Sequence, residues 1–308
     1  MDGLIRVAAI GCGNVGQKAV EAIGAAPDMV LAGIVETAKN IPRIREIYPK
    51  AEVADHVSKL QAADVAILSV DSHVTRNIAE ECLRLGIHTV DPYDTYSEPF
   101  IAYKANLDKI ARENGRVAVI CSGWDPGFDA AIRAAMEAMI PKGLTYTNFG
   151  PGQSMSHSAA ARTVPGVVDA YALTLPKGAG CHKRMLYVQV ADGYDFEEIA
   201  ERLQKEPHFS RDETQVLQAE SIQAIADAGH RVSIERKGVA GICHNHVASY
   251  TMSLVNTATT SQSMVTSARA AMKQKPGCYT VLEIPPIDFI YGDRDKNLAR
   301  LIYPDAAH

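Results

Sequence analysis

The sequence is poor in aromatic residues and has no closely spaced cysteine pair. Only 6% of its 308 residues are aromatic, and Trp124 is the single tryptophan. The six cysteines are scattered along the chain without a CxxC motif. This distribution favours free thiols in a reducing compartment over a disulfide framework. We therefore expect a cytoplasmic protein.

Long apolar runs and an excess of basic charge are also missing. No run approaches the roughly 18 apolar residues that span a bilayer, and the first residues lack the basic and hydrophobic regions of a signal peptide. The formal net charge is -5 at pH 7, whereas a nucleic-acid-binding domain needs a basic face. These absences predict a soluble protein without a membrane or nucleic-acid partner. The remaining composition is that of an ordinary globular protein, long enough for two domains.

The clearest motif is a glycine-rich turn. Residues 11–16 read GCGNVG, follow the apolar run 5–10 and precede a helical pattern. In this context GxGxxG predicts a dinucleotide site, because its glycines permit a tight turn, close approach of the backbone to a pyrophosphate, and close helix–strand packing. The N-terminus of the helix would attract the phosphates. The predicted contacts in this turn are Gly11, Gly13, Asn14, Val15 and Gly16.

An acidic residue stands where such folds bind the ribose. The predicted second strand, 29–35, ends at Glu36, twenty residues after Gly16. A carboxylate accepts hydrogen bonds from the ribose hydroxyls of NAD but repels the 2′-phosphate of NADP. Three basic residues follow closely and could neutralise it: Lys39, Arg43 and Arg45. The remaining predicted cofactor contacts are Glu36, Thr37 and Ser72.

Strand and helix patterns alternate up to Trp124. This alternation predicts an α/β fold with a doubly wound, Rossmann-type parallel sheet. Beyond Trp124 strand patterns dominate, which predicts a second α+β domain with an antiparallel sheet. A helical pattern at 259–273 is expected to return to the first domain. We therefore predict a dinucleotide-binding domain over residues 1–124, completed by 259–308, and a second domain over 125–258.

Several segments together resemble the meso-diaminopimelate dehydrogenase family over almost the whole chain. They are 5–16, 89–94 (TVDPYD), 123–127 (GWDPG), 145–152 (TYTNFGPG), 182–184 (HKR) and 274–280 (QKPGCYT). GWDPG and NFGPG in this order are far more specific than GxGxxG. The resemblance implies an NADP-dependent oxidoreductase of lysine and cell-wall precursor metabolism. It would reversibly deaminate the D-configured centre of meso-2,6-diaminopimelate to L-2-amino-6-oxopimelate and ammonia, as a homodimer built through the second domain, which would also bind the substrate.

The resemblance places three residues at the reacting centre: Asp94, Trp124 and Asp125. Both aspartates lie at strand ends, where ligands of parallel sheets gather. A carboxylate there can bind the substrate ammonium and assist attack of water on the iminium. The indole would pack on the aliphatic chain and exclude water. Either aspartate can instead be an ordinary turn or cap residue.

A diamino dicarboxylate needs a second set of polar groups for its distal end. Arg184 suits bidentate binding of a carboxylate, although it can also be a solvated strand residue. The resemblance places Met155 in a loop over the substrate and these residues around the distal end: Phe149, Thr174, Arg184, His230 and Asn256. His230 can equally be a partly buried polar residue.

The chain departs from the family pattern at two places. At residues 153–158 the family usually has an apolar first residue and a glycine where Ser156 stands, and after strand two it has arginines where this chain has Glu36–Lys39. Two alternatives therefore stay open: a dehydrogenase of another D-amino or diamino acid, and a non-catalytic NAD(P)-binding sensor. NAD and NADP both stay open as the cofactor. The Cys243–His246 cluster (CHNH) does not bring three ligands together on a strand, and we expect no metal.

Overall fold

The computed structural model describes residues 3–92, 100–210, 212–223, 225 and 230–304. The chain forms two compact units, Met1–Ala131 with Thr257–His308, and Ile132–Asn256. The strands are β1 Ile5–Ile10, β2 Met29–Val35, β3 Val53–Ala54, β4 Val65–Leu68, β5 His88–Val90, β6 Val117–Ile120, β7 Lys142–Gln153, β8 Val167–Gly178, β9 Cys181–Val190, β10 Glu213–Gln218, β11 His230–Ala240, β12 Cys243–Leu254 and β13 Gly277–Thr280. The α-helices are α1 Asn14–Ala25, α2 Ile41–Ile47, α3 Ser72–Arg84, α4 Phe100–Glu113, α5 Phe128–Met139, α6 Met155–Arg162, α7 Phe196–Lys205, α8 Asn256–Ala271 and α9 Arg294–Ile302.

The first unit contains a seven-stranded sheet in the order β13-β6-β5-β4-β1-β2-β3. Each neighbouring pair of strands is parallel. The chain moves outward from β1 through β2 to β3, then returns to β4 on the other side of β1. This reversal between β1 and β4 is the topological switch point at which doubly wound sheets bind ligands. The predicted Rossmann-type fold is confirmed.

Helices cover both faces of this sheet. Along β4, Ala66 and Leu68 belong to one buried cluster, while Val65 and Ile67 belong to another. The first cluster includes residues of α3 and α4, and the second includes residues of α1 and α8. A strand buried on both faces is apolar at every position, which explains the unbroken VAIL of β4 and VAVI of β6.

The last part of the chain completes the first unit. β13 adds to the edge of the sheet beside β6, with Tyr279 opposite Val119. In α8, Arg269 donates two hydrogen bonds, of 2.5 and 2.7 Å, to Asp28 before β2. These contacts attach residues after 256 to a sheet formed mostly before 121.

The second unit contains a six-stranded sheet in the order β10-β9-β8-β7-β11-β12. β9 and β10 are parallel, and every other pair of neighbours is antiparallel. The prediction of an antiparallel sheet was therefore wrong at one edge. The reason is α7, which lies between β9 and β10 in the sequence and returns the chain to run in the same direction.

Several short elements were not predicted. They are α2, β3, α6, β10, β13 and α9. The most consequential is α6, since residues 153–158 were expected to form a loop, whereas Met155 is the first residue of a helix. Helix α6 contributes Ala161 to a buried cluster with Ala172 of β8 and Leu186 of β9. Tertiary packing of this kind stabilises a helix too short to form in isolation. Within the described ranges, no helix combines the length and apolar content needed to cross a bilayer.

Candidate active site

The glycine-rich turn connects β1 to α1 at the switch point. Gly11 has a φ of +84°, and a Cβ there would lie 2.4 Å from the Ser69 carbonyl oxygen. A Cβ on Gly16 would lie 2.0 Å from the Gly11 carbonyl oxygen. Both distances are far inside van der Waals contact. The first and third glycines are therefore required by the fold itself.

Gly13 differs from the other two glycines of the motif. A Cβ on Gly13 would have no neighbour within 4 Å. Gly13 is also the N-cap residue of α1, has no side-chain capping hydrogen bond, and is followed by no acidic residue in the first turn. Asn14 and Val15 begin the helix, and the Val15 carbonyl accepts a hydrogen bond from Ser261 of α8. Open space beside a helix N-terminus fits the pyrophosphate of a dinucleotide.

Glu36 follows β2 and holds the glycine-rich turn through a hydrogen bond. Its Oε1 accepts a 3.0 Å hydrogen bond from the Cys12 backbone N–H. Its Oε2 accepts from the Thr37 N–H at 2.8 Å and from the Asn40 side chain at 3.1 Å. Burial alone would raise the pKa of the Glu36 carboxyl, but the hydrogen bonds from Cys12, Asn40 and Thr37 outweigh it and lower the pKa. The carboxylate is therefore charged at neutral pH, and Oε1 has a lone pair left for a further donor.

The basic residues after Glu36 do not neutralise it through a contact. In the described part of the chain, every hydrogen-bond donor to the Glu36 carboxylate is uncharged. The Arg45 guanidinium instead donates to the Val53 carbonyl at 3.2 Å. Lys39 and Arg43 are exposed. Among the described residues, no ion pair compensates the negative charge at the end of β2.

Two strand ends meet at the carboxyl edge of the same sheet. The Ser122 N–H and hydroxyl, after β6, both donate to the Asp91 carbonyl, after β5, at 3.0 and 2.8 Å. Ser72, predicted at the cofactor, is the first residue of α3 and follows β4 along the same edge. Asp94 lies outside the described residues.

The GWDPG segment forms a tight turn between β6 and α5. A Cβ on Gly127 would lie 2.0 Å from the Gly123 carbonyl oxygen, and the Gly127 N–H donates to Asp129 at 3.0 Å. Within this turn Trp124 is 4% exposed, whereas the next residue, Asp125, is exposed. The aspartate therefore presents the accessible polar group and the indole is packed.

The second unit contains a buried cation. Arg184 on β9 has a side chain only 11% exposed. Its Nη1 donates to the Thr174 hydroxyl of β8 at 2.6 Å, and its Nε donates to Asp212, just before β10, at 2.8 Å. Burial lowers the pKa of the Arg184 guanidinium, and the Asp212 carboxylate opposes part of that shift. The interpretation of Arg184 as a solvated residue is therefore wrong, and Asp212 is a partner that the sequence analysis missed.

Two predicted residues, Phe149 near the end of β7 and His230 at the start of β11, lie close to His182 of β9. The Phe149 ring centroid is 6.1 Å from that of His230 and 5.7 Å from that of His182. The Phe149 N–H donates to His182 Nε2 at 2.9 Å, and His230 Nδ1 pairs with the Gln153 carbonyl at 3.2 Å. Since a carbonyl only accepts, Nδ1 of His230 is protonated, which leaves its Nε2 as an acceptor when the ring is neutral. Burial lowers the pKa of both histidines and so favours that neutral form.

Helix α6 places another histidine beside the buried cation. His157 Nδ1 lies 2.7 Å from the Ser154 hydroxyl, and its ring packs edge-on against Phe209 at 5.5 Å. Burial, followed by the positive charge of Arg184, lowers the pKa of His157 to about 4. This histidine was not singled out from the sequence. The predicted Asn256 is half-buried and begins α8.

The CHNH cluster lies at the start of β12, beside the turn from β11. Cys243, His244 and His246 are all exposed there. Among the residues that the structure describes, no group of three or more His, Cys, Asp or Glu side chains could hold a metal ion. All six cysteines are free thiols.

Comparison with known proteins agrees with the segments quoted above. Residues 123–256 match the family model described as the diaminopimelic acid dehydrogenase C-terminal domain. The meso-diaminopimelate D-dehydrogenase of Bacteroides fragilis is 43% identical over 298 residues, which cover 97% of this chain and 99% of that protein. The enzyme of the same name from Corynebacterium glutamicum is 29% identical over 326 residues, covering 96% and 98%.

Two solved structures resemble the chain over nearly its full length. The diaminopimelate dehydrogenase of C. glutamicum in complex with diaminopimelate superposes with a TM-score of 0.84 at 27% identity, covering 97% of this chain and 99% of that one. An engineered D-amino acid dehydrogenase bound to NADP+ gives a TM-score of 0.78 at 26% identity, covering 96% and 99%.

Proposed function

The chain belongs to the meso-diaminopimelate D-dehydrogenase family, and we propose on this basis that it is an amino-acid dehydrogenase of meso-2,6-diaminopimelate. The reaction is the reversible, NAD(P)-dependent oxidative deamination of the D-configured centre, which yields L-2-amino-6-oxopimelate and ammonia. The identity over 97% of the chain carries this proposal, because it includes both the glycine-rich turn and the matched residues 123–256.

The first unit would bind the dinucleotide through the turn at residues 11–16. The open space at Gly13 and the unobstructed N-terminus of α1 support this role. When bound, the nicotinamide supplies the hydride acceptor. Asn14, Val15, Glu36, Thr37 and Ser72 complete the proposed contacts.

We assign the reacting end of the substrate to Asp94, Trp124 and Asp125. The exposed carboxylate of Asp125 is suited to hold the ammonium of the D-centre and then to take a proton from water that attacks the iminium carbon. Trp124, packed in the same turn, would exclude other water. Asp94 is assigned from the family resemblance alone.

The distal amino-acid end requires donors for its carboxylate. Arg184 offers them from a buried position next to Thr174, where a charged hydrogen bond is stronger than in water. Residues assigned to the same end by resemblance are Phe149, Met155, His230 and Asn256. The lowered pKa of His230 favours its neutral form, and Nε2 of this form would accept a hydrogen bond from the distal ammonium.

Of the two cofactors NAD and NADP, we propose that NAD is the better one for this protein. Glu36 is charged and has no ion-pair partner in the described residues. Two like charges about 4 Å apart repel by about 4 kcal/mol at an effective dielectric constant of about 20. Even after screening, a residual of about 1.4 kcal/mol would weaken binding of a 2′-phosphate tenfold. The NADP+ bound to the engineered relative supports the opposite preference, so the choice needs a direct test.

Glu36→Arg tests this choice, with Glu36→Gln as its matched control. The glutamine keeps an oxygen for the Cys12 N–H but removes the charge. We expect Glu36→Arg to shift both the equilibrium affinity and kcat/KM toward NADP, and Glu36→Gln to shift them less. A strong preference of the wild type for NADP, unchanged in both variants, would show that Glu36 does not read the ribose.

The reaction is tested by following absorbance of the reduced nicotinamide with meso-, LL- and DD-diaminopimelate, and with other D-amino acids. We expect turnover with the meso isomer above all. Faster turnover of another D-amino acid would support the related dehydrogenase, and cofactor binding without turnover of any of them would support the sensor.

We also propose a homodimer built through the second unit, located in the cytoplasm. Strand β12 is an edge of its sheet and carries the exposed Val247, while Leu144 of β7 is 64% exposed. Exposed apolar residues near a sheet edge are typical of association surfaces. A mass of one chain in light scattering at micromolar concentration would contradict the dimer.

A further inference from the structure

The Arg184 guanidinium of the second unit is held through Nε, the nitrogen nearest its aliphatic chain. Asp212 accepts from Nε of Arg184, and Thr174 accepts one hydrogen of Nη1. A guanidinium has five N–H donors in one rigid plane. Nη2 and the second hydrogen of Nη1 have no partner in the described residues, and they form the terminal edge of the group. With Nε occupied by Asp212, this terminal edge is able to bind a carboxylate through two parallel hydrogen bonds.

Asp212 is itself fixed by the chain around it. Its N–H donates to the Phe209 carbonyl at 3.3 Å, and the Thr214 hydroxyl donates to the same carbonyl at 3.1 Å. Thr214 of β10 stands opposite Arg184 in the parallel pairing of β9 with β10. These contacts fix the backbone that carries the Asp212 carboxylate, and they do not involve the Arg184 side chain.

The two contacts have different consequences for the guanidinium. Thr174, opposite Arg184 in the β8–β9 pairing, is uncharged and cannot compensate a buried cation. Asp212 is the acidic group in contact with it, with a side chain 24% exposed. A buried cation that loses its counter-charge becomes strongly unfavourable and turns toward water when it can. Without Asp212, the terminal N–H groups would lose their orientation.

We propose that Asp212 is a positioning residue for substrate specificity: it holds Arg184 by Nε so that the terminal edge of the guanidinium receives the distal carboxylate of the substrate. Asp212 acts through Arg184 and does not contact the substrate. This inference rests on the proposed function, since it takes the distal carboxylate as the ligand of Arg184.

The test is a double-mutant cycle on the full-length enzyme with meso-diaminopimelate and saturating dinucleotide. We expect Asp212→Asn to raise KM about tenfold or more with little change in kcat, because binding is lost equally in ground and transition states. Asp212→Glu keeps the charge and should recover part of the loss. In an Arg184→Met background, Asp212→Asn should have almost no further effect on kcat/KM, because its route of action is gone.

Asp169→Asn is the matched control. Asp169 of β8 pairs with Arg162 of α6 at 2.6 Å in the same unit, but that pair is more exposed than Arg184–Asp212, with side-chain exposures of 34% and 43%. The KM of the Asp169→Asn variant for meso-diaminopimelate should equal that of the wild type. Thermal unfolding of each variant identifies loss of folding. If Asp212→Asn does not fold, Asp212→Glu and the double variant still decide the question.

Each outcome bears on one inference. An active wild type with an unchanged KM in Asp212→Asn, or equal effects of that substitution with and without Arg184, would overturn the role of Asp212 and leave the proposed function intact. A fall in kcat alone would also overturn it. No turnover of meso-diaminopimelate by the wild type, with either cofactor, would overturn the proposed function first.

Discussion

The glycine-rich turn at residues 11–16 and the cluster of Thr174, Arg184 and Asp212 are built on opposite principles. In the turn, the groups proposed to bind ligand are backbone N–H donors. The glycines there matter mainly because they have no side chain. In the cluster, each group is a side chain, and each comes from a different strand or its flank. The turn depends on local conformation, whereas the cluster depends on strand register.

The difference determines how each region tolerates substitution. Within six residues, the turn contains two glycines that the fold requires and one that it does not. The cluster has no such local constraint, but its buried charges compensate one another. In the turn, whether a substitution affects folding or ligand binding should therefore depend on which glycine is replaced. In the cluster, it should depend on whether the charge of the side chain is kept.

The largest effect is expected from Gly16→Ala. The added methyl group would lie 2.0 Å from backbone of Gly11, which cannot move like a flexible side chain. Overpacking costs roughly 1–3 kcal/mol in typical cores, and here we expect the upper end or more. Gly13→Ala is the control, since its methyl group enters open space. It should keep the wild-type melting temperature and weaken dinucleotide binding. Equal melting temperatures in the two variants would contradict this account.

Arg184→Met tests the other region. A charged hydrogen bond contributes roughly 1.5–3 kcal/mol, so KM for meso-diaminopimelate should rise about tenfold or more. KM for a monocarboxylic D-amino acid should change much less, because that substrate lacks the distal carboxylate. The measurement is steady-state kinetics on both substrates. Equal losses would mean that Arg184 does not read the distal end.

Asp125→Asn should affect chemistry without affecting either binding region. The amide keeps the shape of the side chain but cannot accept a proton. We expect turnover to fall at least about tenfold, which corresponds to about 1.4 kcal/mol in the activation barrier, with unchanged dinucleotide affinity. Wild-type turnover in this variant would remove Asp125 from the proposed catalytic residues.

The smallest effect concerns pH and His157. Its pKa is lowered from 6.5 to about 4 in the folded protein. Between these values the unfolded chain binds a proton that the folded protein does not, so stability should fall as the pH is lowered through this window. His157→Gln should reduce the slope of unfolding free energy against pH by up to about one proton. His244→Gln, at an exposed position, should not. Identical slopes in wild type and His157→Gln would contradict the lowered pKa.

Sequence reasoning succeeded where function and fold depend on neighbouring residues. The GxGxxG turn, Glu36 at the end of β2 and the apolar strands of a doubly wound sheet were all predicted from patterns a few residues long. The same reasoning missed α6 and β10, because neither has a strong pattern of its own. Both are stabilised by packing against strands that lie far away in the sequence.

The sequence by itself determined the α/β class, the position of the dinucleotide turn and the residue types available for an amino-acid substrate, because each follows from local periodicity or from the conformational needs of glycine. Tertiary structure alone decided which of these residues meet. Asp212 lies 28 residues after Arg184, and its contact with Nε exists only because α7 returns the chain to pair β10 with β9. Likewise, the lowered pKa of Glu36 depends in part on the Cys12 N–H, 24 residues earlier, which the parallel β1–β2 pairing brings within 3.0 Å. Burial and hydrogen-bond partners are properties of the folded chain, and they convert a suitable residue type into a group with one charge and one orientation.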